Sequence, residues 1–189
     1  MIRAIFLDVD GTLISFSTHE IPASARRALT QAHERGVRLF IATGRAANDL
    51  GPLEGIPYDG VVSLNGARCV ANDGRVVSLH PIPRADFERA LALSEEQGFA
   101  MGLELEEGVF VNRVTPDVER VAHMVAHPVP EQTDLRELFG RVECCQLCFY
   151  FDAETQRRVM AELPTLAASR WCPIFADVNV AGIDKATGM

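Results

Sequence analysis

Two aspartates one residue apart, Asp8 and Asp10, follow the apolar run Ile5-Phe6-Leu7 and lead straight into Gly11-Thr12. Acids left unpaired at the end of a buried strand cost stability, so the placement asks for a chemical reason. A carboxylate fixed at a strand end suits nucleophilic attack on phosphorus, giving an acyl phosphate. Asp10 can then reach the leaving oxygen as general acid and later serve a water as general base. Neighbouring acids repel, and Mg2+, a hard cation that prefers oxygen ligands, would let Asp8 and Asp10 keep their charges together. Gly11 permits a sharp turn and brings backbone N–H groups close to a phosphate. Thr43 offers a hydroxyl to a phosphoryl oxygen, and Lys185 offers a cation.

These residues need elements to hold them. Residues 2–7 read as a strand buried on both faces, residues 22–35 as a helix opened by Pro22 and closed by Gly36, and residues 37–42 as a second strand. A short helix is expected from Arg45 to about Gly51, then a third strand over 58–64. This β-α-β-α-β order predicts an open parallel sheet, and catalytic side chains in such sheets gather at the carboxyl ends of the strands. Three such ends carry Asp8 to Thr12, Thr43-Gly44-Arg45 and Asn65-Gly66.

A hairpin turning on Asn72-Asp73-Gly74 completes a first part, residues 1–81. Beyond Pro81 and Pro83, helices at 84–97, 116–126, 135–139 and 154–166 mix with strands at 99–105, 109–113, 142–151 and 171–178. That texture predicts an α+β insert over 82–178, with residues 179–189 returning to the first part.

With 48% hydrophobic and 23% charged residues, the chain reads as a soluble globular protein. No apolar run reaches the ~18 residues of a membrane span, and no secretory signal opens the chain, so the cytoplasm is expected. A net charge of −8 without a basic cluster argues against nucleic acid as a partner. It also requires that an anionic substrate meet local cations at the site itself. Neither GxGxxG nor a Walker lysine motif follows the first strand, which sets a nucleotide-binding domain aside.

DVDGTL, the threonine of IATGR and the late lysine of GIDKATGM together resemble the haloacid dehalogenase-like phosphatases. LNGA after the third strand and the large insert before the lysine resemble their Cof-type sugar-phosphatase group. The resemblance implies an α/β fold, an open parallel-sheet Rossmann-like core with an inserted α+β cap domain. It implies Asp8 as nucleophile and Mg2+ ligand, Asp10 as acid/base with its backbone carbonyl on the metal, Thr43 on the phosphate, and Lys185 holding nucleophile and phosphate together. Gly11, Gly44, Arg45, Asn65 and Gly66 would stand near the substrate, a small phosphate ester.

The family continues past the lysine to a GDGxND-like acidic motif with further Mg2+ ligands, which these 189 residues lack. The nearest acids, Asp177 and Asp184, have no such context. The chain is therefore expected to be C-terminally truncated, with its first strand an apolar edge open to self-association. Three functions stay open: a phosphatase, an inactive fragment of one, and a phosphomutase.

Two other constellations read as structural. Cys145-Gln-Leu-Cys148 lies in a strand-like segment, where positions i and i+3 point to opposite faces, so the cysteines are expected in the core. His123 and His127 have helical zinc spacing but lack the HExxH glutamate and a third ligand, so a solvated helix face is expected.

Overall fold

The run that precedes the paired acids forms β1 (Ala4–Leu7) in a computed structural model that describes residues 2–15, 17, 18 and 20–189. The chain divides into two compact units, residues 1–79 with 183–189, and residues 80–182.

In the first unit β1 runs parallel to β2 (Arg38–Ala42), with Ile5 opposite Leu39 and Leu7 opposite Ile41. The crossover between them is α1 (Ala23–Glu34), preceded by Pro22 and followed by Gly36 at φ 83°. β3 (Gly60–Ser63) is parallel to β2 on its other side. β4 (Arg68–Ala71) and β5 (Val76–Leu79) then turn back antiparallel, giving the order β1-β2-β3-β4-β5. Leu39 and Ile41 pack with Ile21, Leu29, Leu53 and Val61 on one face of this sheet. On the other, Ala42 joins Val62 and Cys69, and Phe40 stacks on Phe6 at 4.8 Å. Two covered faces explain why β2 is apolar without alternation. β1, at the edge of this sheet among the described residues, keeps its side chains only half-buried.

The helix expected from Arg45 to Gly51 does not form. Turns occupy the stretch, and a single 3-10 turn spans Gly51–Leu53. Gly44, Asn48, Gly51 and Pro52 are poor helix formers crowded into nine residues, and nothing there sustains a helical ladder.

The second unit is built on a six-stranded sheet in the order β10-β11-β9-β6-β7-β8. Its elements are α2 (Arg84–Gln97), β6 (Ala100–Leu105), β7 (Gly108–Val111), α3 (Pro116–Met124), β8 (Glu131–Gln132), α4 (Leu135–Phe139), β9 (Gln146–Tyr150), α5 (Ala153–Met160), β10 (Leu166–Cys172) and β11 (Phe175–Val180). All neighbours are antiparallel except β7 and β8. α2, α4 and α5 supply Phe87, Leu91, Leu135 and Val159 to one face, against Met101, Leu103, Leu147 and Phe149. α3 supplies Val118 and Val121 to the other, against Ala100, Cys148, Tyr150 and Phe175.

Two expectations fail here. The helix foreseen over 154–166 stops at Met160, because Pro164 disfavours helical geometry just before it and Leu166 opens β10. The single strand foreseen over 171–178 is a hairpin that turns at Pro173 and Ile174, with Cys172 opposite Phe175. His127 lies beyond the end of α3, after Ala126 at φ 56°, so it and His123 do not share a helix; both are exposed.

The five cysteines are free and buried. Cys144 packs with Leu147 and Phe149, while Cys148 packs on the opposite face with Tyr150. Burial pushes the Cys144 thiol up to about 12 and raises that of Cys148 as well. A raised thiol pKa leaves little thiolate at neutral pH, so alkylating reagents find no nucleophile there. Native protein at pH 7.5 should resist iodoacetamide, and all five cysteines should react once it is unfolded. Mass spectrometry of the two samples measures this.

Candidate active site

Asp8 is the first residue past β1, where the strand's direction fixes its carboxylate at the sheet edge. Lys185 Nζ donates to Asp8 Oδ1 at 2.6 Å across 177 residues of chain. The Thr12 hydroxyl stands 3.4 Å from the other oxygen, Oδ2. Both partners of the ion pair are about one-third exposed, so the contact orients the carboxylate more than it stabilises the fold.

Past Asp8 the chain closes a tight turn. Gly11 takes φ 76°, and its N–H donates to the Ile14 carbonyl at 2.9 Å. The N–H groups of Leu13 and Ile14 both point to the Val9 carbonyl. Gly11 thus supplies the turn, but its N–H is engaged within the loop rather than offered to a phosphate, as the sequence suggested.

At the end of β2, Thr43 is buried and its hydroxyl oxygen accepts from the Arg45 N–H at 3.2 Å, leaving its own proton to donate. Gly44 is half-buried between them. Arg45 grips Asp10: Nε donates to Oδ2 at 2.9 Å and Nη2 to Oδ1 at 2.8 Å. Its third nitrogen, Nη1, reaches Asp49 Oδ2 at 3.1 Å. The hydrogen bond to Asp10, then the charges of Asp10 and Asp49, raise the guanidinium pKa against the opposing effect of burial.

The loop after β3 carries three successive positive φ values, 49° at Leu64, 54° at Asn65 and 98° at Gly66. Such backbone costs about 1–3 kcal/mol per non-glycine residue and survives where the surroundings hold it. Here the Leu64 N–H donates to the Arg45 carbonyl at 3.1 Å and the Asn65 N–H to the Thr43 carbonyl at 3.0 Å. Gly66 then forms a ledge for the segment that bears Lys185. A Cβ on Gly66 would run into the Asp184 carbonyl, and one on Gly188 would meet Val62 Cγ1 at 2.6 Å. The segment folds as a turn in which the Thr187 N–H donates to Asp184 Oδ1 at 2.8 Å and the Asp184 N–H to the Thr187 hydroxyl at 2.9 Å. This is the reciprocal capping of a helix start, realised in a single turn.

Asp8, Asp10, Thr43, Gly44, Arg45, Asn65, Gly66 and Lys185 thus all lie in one unit, on three strand ends and the segment that rests on them. Thr12 and Asp49 had no assigned part. Each stands four residues from its partner, Thr12 from Asp8 and Asp49 from Arg45, which was the available signal. The cations that the net charge demanded are Lys185 and Arg45.

Among the described residues no group of three or more His, Cys, Asp or Glu could hold a metal ion. The donors at this edge are the Asp8 carboxylate and Asp10, whose side chain is held by Arg45 and whose backbone carbonyl is the metal contact that the resemblance implies. Among the described residues Asp8 Oδ2, with the long Thr12 contact in place of a lysine, is the freer oxygen. Such a pair fits Mg2+, which commonly takes one or two carboxylates and completes its shell with phosphate oxygens and water.

Two acids past the end of β1, each gripped by a cation, thus share one unit with the buried hydroxyl of Thr43. The family model for haloacid dehalogenase-like hydrolases matches residues 5–189. The chain belongs to this family, and by family it is a phosphoric monoester hydrolase on a Rossmann-like fold. It is 55% identical to BT1666 of Bacteroides thetaiotaomicron, a phosphatase of the same superfamily, with a TM-score of 0.94 over all of this chain and 70% of that one. The subclass IIB sugar phosphatase BT4131 is 31% identical, with a TM-score of 0.87 over 98% of this chain and 73% of that one. YkrA of Bacillus subtilis (strain 168), named as a phosphatase, is 26% identical over 99% of this chain and 72% of its own length.

Gly66→Ala should destabilise the protein more than Gly55→Ala, since Gly55 also has positive φ (79°) but open space where a Cβ would stand. Gly55→Ala carries the left-handed backbone cost alone, about 1 kcal/mol, and Gly66→Ala adds a collision with backbone. Urea titration of the two variants measures the difference, and equal losses would remove the ledge.

Proposed function

We propose that the chain is a cytoplasmic, Mg2+-dependent phosphatase of small phosphorylated metabolites, sugar phosphates foremost, working through an aspartyl-phosphate on Asp8. The observation that carries the reading is Lys185 on Asp8, a cation brought across 177 residues to the oxygen next to the attacking one. The sugar-phosphate part is supported by the likeness to BT4131, a sugar phosphatase. Residues 80–182 would serve as the cap that the resemblance implies.

In the first step an Asp8 oxygen forms a bond to phosphorus while the bond to the leaving oxygen breaks. Asp10, protonated, gives its proton to that oxygen. In the second step Asp10 takes a proton from a water, which attacks phosphorus, and inorganic phosphate departs as the Asp8 carboxylate reforms. Lys185 balances charge at Asp8, and the Thr43 hydroxyl has a proton to donate to a phosphoryl oxygen. Asp8 and Asp10 would hold Mg2+, which when bound offsets the negative charge shared by carboxylate and phosphate.

Steady-state hydrolysis of 4-nitrophenyl phosphate and a hexose 6-phosphate, with Mg2+ or with EDTA, tests the reading. Turnover should require Mg2+ and fall by more than about 10³-fold in Asp8→Asn. Calorimetric titration with Mg2+ should show weaker binding in Asp8→Asn. A folded sample without turnover would leave an inactive member of the family, and turnover that needs a sugar bisphosphate activator would indicate a mutase.

A further inference from the structure

Asp10 must face the leaving oxygen to do its work, yet it sits in a turn, its side chain 40% exposed, with no neighbouring strand to fix it. We propose that Arg45 is the positioning residue that aims Asp10 at the ester's leaving oxygen, with Asp49 holding Arg45 in turn; this rests on the phosphatase reading above.

The geometry is a fork on a fork. Two parallel N–H···O bonds of 2.9 and 2.8 Å set the plane of the Asp10 carboxylate as well as its distance. Each carboxylate oxygen keeps a lone-pair side that Arg45 does not cover, and there a proton can be held or passed. The guanidinium and its backbone are themselves held. Nη1 is on Asp49, the Arg45 N–H is on the Thr43 hydroxyl, and the Arg45 carbonyl receives the Leu64 N–H. Asp10, on the edge strand's loop, is thereby referenced to the buried ends of β2 and β3. With three guanidinium nitrogens committed to the two acids, Arg45 is poorly placed to bind phosphate, the part the sequence suggested. A lysine would keep the charge but grip only one point, leaving the carboxylate plane free to turn.

The role predicts a dependence on the leaving group. An alkoxide needs a proton as it departs, whereas 4-nitrophenolate leaves without one. kcat/KM stops at the first irreversible step, so it reports the acid half of Asp10's work. The experiment compares kcat/KM for a hexose 6-phosphate and for 4-nitrophenyl phosphate in the full chain with Mg2+, across Arg45→Lys, Asp49→Asn and Asp10→Asn. Asp10→Asn should lower the alkyl-to-aryl ratio by about 10²-fold. Arg45→Lys should lower it by about tenfold, and Asp49→Asn by less, in the same direction. A merely structural Arg45 would lower both esters equally, and an unchanged ratio in Arg45→Lys overturns the proposal. If circular dichroism shows that variant unfolded, the ratio in Asp49→Asn decides in the same way. Absence of Asp8-dependent turnover in the unsubstituted chain overturns the phosphatase reading, and this one with it.

Discussion

Two carboxylates separated by one residue at the end of a strand repel each other, and the chain answers each with its own cation. Lys185 takes Asp8 and Arg45 takes Asp10. Neither cation is local to its acid: one arrives from 177 residues away and the other from 35. Much of the first unit can be understood as the apparatus that makes these deliveries. Parallel pairing of β1, β2 and β3 lines up their carboxyl ends, and the left-handed loop at Asn65 and Gly66 clears the ground on which the Lys185 turn rests.

The deliveries differ in kind. Arg45 comes by secondary structure, since β2 is the immediate neighbour of β1 and the arginine lies just past its end. Lys185 comes by close packing of backbone on backbone, with glycine on both sides of the contact at Gly66 and Gly188. Strain in the Leu64-Asn65 backbone is held by hydrogen bonds to the carbonyls of Thr43 and Arg45, so two of the candidate site residues also fix the loop beside them.

What the sequence made legible followed from local rules. Continuous apolar runs gave β1, β2 and β3, and Gly98 marked the end of α2 at its left-handed cap. The paired acids, the threonine and the lysine stood out by type and order. Where reading failed, competing local signals or distant contacts were responsible. Four weak helix formers between Gly44 and Pro52 left no helix there, and Pro164 turned the end of a helix into the start of a strand. The grip of Arg45 on Asp10 was not legible, because residue types show that a guanidinium is near a crevice but not which anion it will choose. The engaged N–H of Gly11 was hidden for a similar reason, since the loop's internal hydrogen bonds depend on a fold of four residues that propensity does not specify.

The span between Asp8 and Lys185 has a consequence in time. A ribosome adds roughly 5–20 residues per second, so Asp8 is made about 9–35 s before the lysine that pairs with it. Through that interval the whole inserted unit is being synthesised, and Asp8 stands without its cation. The Asp8–Lys185 contact can therefore form only after everything between its two members has been translated.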